Sequence, residues 1–119
     1  MLYGFPTTAR YYLYSKPTDM RKSFDGLCGL VINHLAQSPM TGDVFIFMNR
    51  RRTLIKLLVW DQTGFVIYYK RLEKKTFELP PFEESSSSVK ITRRTLMIIL
   101  EGISLDNIKT RKRYRREPV

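Results

Sequence analysis

Residues 43–73, DVFIFMNRRRTLIKLLVWDQTGFVIYYKRLE, decide the fold, because they lay three strand-like apolar runs between clusters of arginine and lysine. The first run is Val44 to Met48, and it ends at Asn49-Arg50-Arg51-Arg52, a polar stretch of turn length. The second goes from Thr53 to Trp60 and the third from Phe65 to Leu72, with Asp61-Gln62-Thr63-Gly64 between them. Asp suits the first position of a type I turn, and Gly takes the left-handed conformation that closes a bulged hairpin. A bulge at Gly64 sets Asp61 opposite Phe65. Leu54, Lys56, Leu58 and Trp60 then share a face with Val66, Tyr68, Lys70 and Leu72, and Ile55, Leu57, Val59, Ile67, Tyr69 and Arg71 take the other. Side chains alternate with period two, so a slip of one residue would exchange these partners.

Outside this meander the chain supplies one more strand and two helices. A strand is expected over Arg10 to Tyr14, where Tyr11, Tyr12, Leu13 and Tyr14 are good strand formers, and Pro17 ends the run. A helix capped by Thr18 or Asp19 is expected next, with Met20, Phe24, Leu27, Val31 and Leu35 on one face and an Arg21–Asp25 pair on another. Gly26 and Gly29 weaken that helix by about 1 kcal/mol each relative to Ala and imply close packing or a bend. Past the meander, Pro80-Pro81 stops any regular ladder, and Glu83-Glu84 with Ser85 to Ser88 read as a mobile, solvated loop. The second helix is expected from Thr92 to Glu101, with Thr92 as cap, Leu96, Ile99, Leu100 and Ile103 on its apolar side and Gly102 near its end. Arg93 and Arg94 stand at its N-terminus, where the helix dipole disfavours cations. The fold class is therefore α+β: a small antiparallel meander packed against one main helix and a second, C-terminal helix. The expected domain covers residues 1–108, with the loop at about 80–90, and residues 109–119 form a basic, disordered tail.

At 119 residues the chain has enough length for one modest core, and 43% hydrophobic residues argue for a folded protein. Charge is the unusual quantity: 21 Lys plus Arg against 11 Asp plus Glu give a formal +10. Such a chain repels itself unless an anion is near, and nucleic acid is the commonest such partner. No apolar run approaches the ~20 residues of a spanning helix, and the first residues lack a signal-peptide pattern, so no membrane partner and a cytoplasmic location are expected. Cys28 is the only cysteine and His34 the only histidine, which excludes an intramolecular disulfide and a zinc site built on thiolates.

Guanidinium groups hold phosphate through paired hydrogen bonds and lysines add point charges, so phosphate binding is the chemistry this composition supports best. Arg50, Arg51 and Arg52 share one turn, Lys56 and Lys70 are expected to face each other across two strands, and Arg71, Lys74 and Lys75 extend the charge. Arg111, Lys112 and Arg113 continue it in the tail. Trp60, Phe65, Tyr68 and Tyr69 interleave with these cations, and an exposed ring beside a cation can stack on an unpaired base, although core roles suit most of them. No catalytic residues, metal site or cofactor are expected, since no Ser-His or Cys-His arrangement and no glycine-rich phosphate loop occur. The one enzyme class left is a magnesium-dependent nuclease, with Asp43, Asp61 and Glu73 as oxygen ligands and Lys75 stabilising charge.

The order of these segments resembles the small TnpB-type accessory protein of a widespread group of bacterial insertion sequences, unrelated to the RNA-guided nucleases of the same name. The resemblance rests on Pro17-Thr18-Asp19-Met20-Arg21-Lys22 with Phe24-Asp25-Gly26-Leu27, and on Gly42-Asp43-Val44-Phe45-Ile46-Phe47 with Asn49-Arg50-Arg51-Arg52. It extends over Lys56 to Phe65, Tyr69-Lys70-Arg71-Leu72-Glu73 and Leu100-Glu101-Gly102. Lys75, Thr76 and Glu78-Leu79 depart from the residues usual there. The resemblance implies a non-catalytic accessory factor for transposition, encoded beside a large transposase that holds the acidic triad. DNA at the element ends, the transposase and a further accessory protein of the element are the implied partners. The alternative within the same setting is a protein–protein adaptor that contacts the transposase through an aromatic face.

Overall fold

The computed structural model describes residues 8–105. Seven elements follow in order: β1 (Tyr11–Tyr14), α1 (Phe24–Asn33), β2 (Val44–Met48), β3 (Leu54–Asp61), β4 (Gly64–Arg71), β5 (Ser88–Ile91) and α2 (Arg93–Leu100). The strands form one sheet in the order β4-β3-β2-β1-β5. The expected meander is β2-β3-β4, paired antiparallel throughout. It is extended by β1, which runs parallel to β2 with Tyr11 opposite Val44, and by β5, antiparallel to β1 with Tyr11 opposite Ile91. The sheet is thus mixed, because α1 serves as the crossover that a parallel pair requires.

β2 explains the layering. Its run Val-Phe-Ile-Phe-Met is buried at every position, as expected of a central strand covered on both faces. On one face Val44, Ile46 and Met48 join Tyr11, Leu13, Ile55, Leu57, Val59 and Ile91 beneath Leu96, Ile99 and Leu100 of α2. On the other, Phe45, Phe47, Tyr14 and Leu58 pack under Leu27, Val31 and Leu35 of the α1 segment.

Three local expectations change. The β3–β4 hairpin closes through Gln62-Thr63 with Asp61 opposite Gly64, and Gln62 carries the positive φ of 53° that was expected of Gly64. A two-residue loop follows the strand twist without a bulge, and the whole pairing moves by one residue, so that Lys56 faces Tyr69 and Ile55 faces Lys70. Lys56 and Lys70 therefore stand on opposite faces of the sheet. Second, α1 starts at Phe24, after a turn in which Lys22 N–H donates to the Asp19 carbonyl (3.1 Å). Neither Thr18 nor Asp19 caps it. Arg21 pairs with Asp19 at 2.6 Å and not with Asp25. Third, part of the expected serine-rich loop is ordered as β5, held by Ser15 N–H to the Ser87 carbonyl (3.0 Å) and Ser15 Oγ to the Ser86 carbonyl (2.8 Å). Past β4 the chain leaves the sheet and turns Phe77 fully into the α2-side core.

The second helix matches its expectation closely. Thr92 caps it by accepting from Thr95 N–H at 3.0 Å, and Gly102 takes φ 72° just past its end. Arg93 at its start bonds to the hydroxyl of Tyr11, which offsets its place at the positive end of the dipole. Burial outweighs that bond and raises the Tyr11 pKa, so the phenol stays neutral.

Candidate nucleic-acid interface

The topology sorts the charges by end. β1, β2 and β4 run toward one end of the sheet, where the β2–β3 turn also lies. Because β1 and β2 are parallel, Lys16, two residues past β1, comes beside Arg50, two residues past β2. Lys16, Arg50 and Arg52 line a cleft of about 280 Å³ together with Tyr14, Ser15, Pro17, Met48, Asn49 and Leu79. Among the described residues, no carboxylate lines it. Sequence reading missed Lys16, and the signal available was the strand–helix–strand order, which brings both strand ends to one side.

Asn49 builds the arginine turn. Its Oδ1 accepts from Thr53 N–H (2.9 Å) and Leu54 N–H (3.0 Å), while Arg52 N–H donates to its carbonyl (3.0 Å). Arg52 completes the turn with φ 58°. Its carbonyl accepts from Phe77 N–H at 2.7 Å, which ties the segment carrying Lys74 and Lys75 to the same end. Arg50, Arg51, Lys74 and Lys75 are exposed, and Arg52 is half-buried.

The other predicted cations divide differently. Lys56 is only 6% exposed. Its Nζ donates to the carbonyls of Met20 (2.8 Å) and Lys22 (2.7 Å), and lies 4.6 Å from the Tyr69 ring centroid. This lysine pins the approach to α1. Lys70 Nζ donates to the Leu100 carbonyl at 2.6 Å, where it satisfies the end of α2 and meets the negative end of its dipole. Arg71 is exposed and paired with Glu73 at 2.9 Å. Arg21 is likewise matched by Asp19, whose pKa its guanidinium hydrogen bonds hold down at about 2. Lys75 lines a second cleft with Thr76, Glu78, Gly102 and Ser104. Among the described residues, no ion pair engages Lys16, Arg50, Arg51, Arg52 or Lys74. Arg111, Lys112 and Arg113 lie outside the described residues.

The aromatics are mostly spent on packing. Trp60 and Phe65 meet edge to face at 5.0 Å, and Tyr12 stacks on Phe45 at 5.8 Å. Tyr69 remains 52% exposed, in a shallow recess with Leu54 and Arg71. The acids are not gathered. Asp43 and Asp61 share a cleft at the far end of the sheet, and both Asp43 oxygens are engaged, Oδ1 by Arg10 N–H (2.9 Å) and Oδ2 by the Thr41 hydroxyl (3.0 Å). Glu73 lies past the other end of β4, roughly 25–30 Å away by strand rise. Among the described residues, no three His, Cys, Asp or Glu side chains lie close enough together to hold a metal ion. No helix among them is long and apolar enough to cross a membrane.

A mixed five-stranded sheet with a helix on each face and a cationic end defines a small basic α+β domain. Residues 9–110 match the TnpB family of IS66, described as IS66 Orf2 like protein, and the chain belongs to that family of insertion-sequence accessory proteins. It is similar to the uncharacterized protein y4jC of Sinorhizobium fredii (strain NBRC 101917 / NGR234), 27% identical over 100 residues that cover 84% of each chain. It is also similar to the uncharacterized protein y4hO of the same strain, 31% identical over 94 residues covering 79% of this chain and 80% of that one. No solved structure matches it.

Proposed function

We propose that the chain is a non-catalytic DNA-binding accessory protein of its insertion element, gripping phosphates with the cationic end of the sheet and so assisting the element's transposase. The observation that carries this reading is the cleft where Lys16, Arg50 and Arg52 converge with no carboxylate among its lining residues. Cations brought together without counter-charges repel one another, and a phosphate between them removes that cost. Arg51, Lys74 and Lys75 flank the cleft's turn and widen the footprint. Lys56 and Lys70 contribute indirectly, by holding α1 and α2 in place.

Neutralising each phosphate releases counterions, so affinity for duplex DNA falls steeply with salt, with a slope of about −0.9 per phosphate contacted. Replacing Arg50, Arg51 and Arg52 together by Ala is expected to flatten the slope of log affinity against log salt by about 2.7. The check is a titration of fluorescent element-end and random duplexes at several salt concentrations. Salt-insensitive binding, or a slope unchanged by the triple substitution, would sink the proposal.

A further inference from the structure

We propose that Tyr69 is a stacking platform for one unpaired DNA base, so that the chain prefers a duplex carrying a short single-stranded extension to a blunt one. This use of the ring rests on the phosphate-binding reading of the same end of the sheet and specifies the form of DNA that end takes.

Tyr69 is 52% exposed, more than any Phe, Trp or other Tyr among the described residues. Its neighbours on the sheet are spent inside the fold: Trp60 meets Phe65, Tyr12 stacks on Phe45 and Tyr14 meets Phe47. Among the described residues, the Tyr69 hydroxyl makes no hydrogen bond. Internal packing therefore leaves half of a large aromatic residue unused.

The ring is also held in place. Lys56 Nζ lies 4.6 Å from its centroid, and that lysine is itself anchored on the Met20 and Lys22 carbonyls and almost wholly buried. The buried cation covers the inner face of the ring, so the exposure belongs to the opposite face and the hydroxyl edge. An aromatic whose orientation is set before binding loses little conformational freedom when a base stacks on it.

The surroundings supply a phosphate partner. A recess of about 300 Å³ opens at the ring, lined by Leu54, Tyr69 and Arg71, with no carboxylate among these residues. Leu54 stands opposite Arg71 in the β3–β4 ladder and two residues past Arg52, so the recess adjoins the arginine turn. β4 is the edge strand, and no further strand of the sheet stands on the outer side of the recess. Arg71 bonds Glu73 through Nε and Nη2, but both side chains are well exposed. An exposed pair of this kind contributes little, so Arg71 exchanges it for a phosphate at small cost.

A base within a duplex has its faces covered by its neighbours, whereas an unpaired one offers a face to a ring. Stacking tolerates any sequence, because every base has a π-face. The arginine turn and the Lys16 cleft grip the duplex. The end of β2 lies two strand spacings, about 10 Å, from β4. Tyr69 takes the first base beyond the duplex and Arg71 that nucleotide's phosphate.

The test is a titration of the full-length protein with two fluorescent duplexes of the same sequence, one blunt and one with a short unpaired extension, at several salt concentrations. The extended duplex is expected to bind about 5–50-fold more tightly, with a salt slope steeper by about 0.7 for the one added single-strand phosphate. Tyr69→Leu should erase most of this preference while blunt-duplex affinity and its salt slope stay at wild-type values, which also shows that the variant is folded. Tyr69→Phe keeps the ring and should keep the preference. Arg71→Met should remove the added slope alone. In the wild-type protein, iododeoxyuridine at the first unpaired position should photocross-link to Tyr69, located by mass spectrometry. Equal affinity for the two duplexes, a preference that survives Tyr69→Leu, or a cross-link that maps elsewhere overturns this proposal and leaves the phosphate reading standing. Binding of neither duplex overturns both.

Discussion

Replacing Lys56 by Met separates a structural lysine from a DNA-contacting one. The substitution keeps the aliphatic stem and removes two charged hydrogen bonds, to the carbonyls of Met20 at 2.8 Å and Lys22 at 2.7 Å. Bonds to a charged group contribute about 1.5–3 kcal/mol each, and a carbonyl left buried without a donor costs about 1–3 kcal/mol. Part of this is offset, because the ammonium no longer has to be desolvated and Met packs well. The expected net loss is about 2–4 kcal/mol, which lowers the melting temperature of a domain this size by about 10–25 °C. The stacking of Nζ over Tyr69, at 4.6 Å from the ring centroid, should appear as a coupling of about 0.5–2 kcal/mol in a double-mutant cycle with Tyr69→Leu. Urea denaturation measures the stabilities, and the DNA titration is repeated under conditions where the variant is folded. The salt slope should stay at the wild-type value. Stability within about 0.5 kcal/mol of wild type, together with a slope reduced by about one phosphate, would refute the reasoning and return Lys56 to the DNA surface.

Lys70→Met should cost about 1–3 kcal/mol by leaving the Leu100 carbonyl without its 2.6 Å donor, with hydrogen exchange rising first in the last turn of α2. Arg52→Gly should move two readouts in opposite senses: relief of the left-handed φ of 58° raises stability by about 0.5–1 kcal/mol, while loss of the guanidinium flattens the salt slope by about one. Phe77→Ala, at a fully buried position, should cost about 3–5 kcal/mol in urea denaturation despite lying outside every strand and helix. Asp19 has a folded pKa of about 2 against an ordinary 3.8, mainly because Arg21 donates to it. A depressed folded value gives stability that is complete above the ordinary pKa and is lost as pH falls from there through the folded one. Asp19→Asn should therefore remove part of the acid sensitivity of the melting temperature between those values and lower it slightly at neutral pH, where the pair with Arg21 contributes in full.

Much of this architecture was legible because the decisive signals were local. Val44 to Met48 is apolar at every position and is the doubly covered central strand; Thr92 and Gly102 bracket α2 by their own backbone chemistry. The failures were of two physical kinds. One was a choice between turns separated by a single residue: Gln62 adopting the left-handed conformation in place of Gly64 exchanged both faces of β4. The other was tertiary. Nothing adjacent in sequence announces that Ser88 to Ile91 would pair with β1, or that the Lys56 ammonium would end on carbonyls more than thirty residues earlier. α1 began late for the same reason, since its approach is shaped by Lys56 and by Thr18 N–H bonding the Met48 carbonyl (2.8 Å) more than by any local cap.

A lysine or arginine in this protein is understood from where its head group lands, and its position in a basic run is a poor guide. Arg50, Lys56 and Lys70 all decorate the same meander. Lys56 and Lys70 are turned inward because each lies within a strand, facing the segment leading into α1 or the end of α2, where backbone carbonyls accept from it. Arg50, Arg51 and Arg52 escape that fate because their turn directs its own hydrogen bonds through the Asn49 side chain and main chain, and among the described residues no ion pair engages the guanidinium groups. Lys16 joins them only through the parallel pairing of β1 with β2. The same segregation that concentrates cations at this end leaves Ser23 to Asn49 without any. A phosphate-seeking end and a cation-free helix face are thus two results of one distribution of charge.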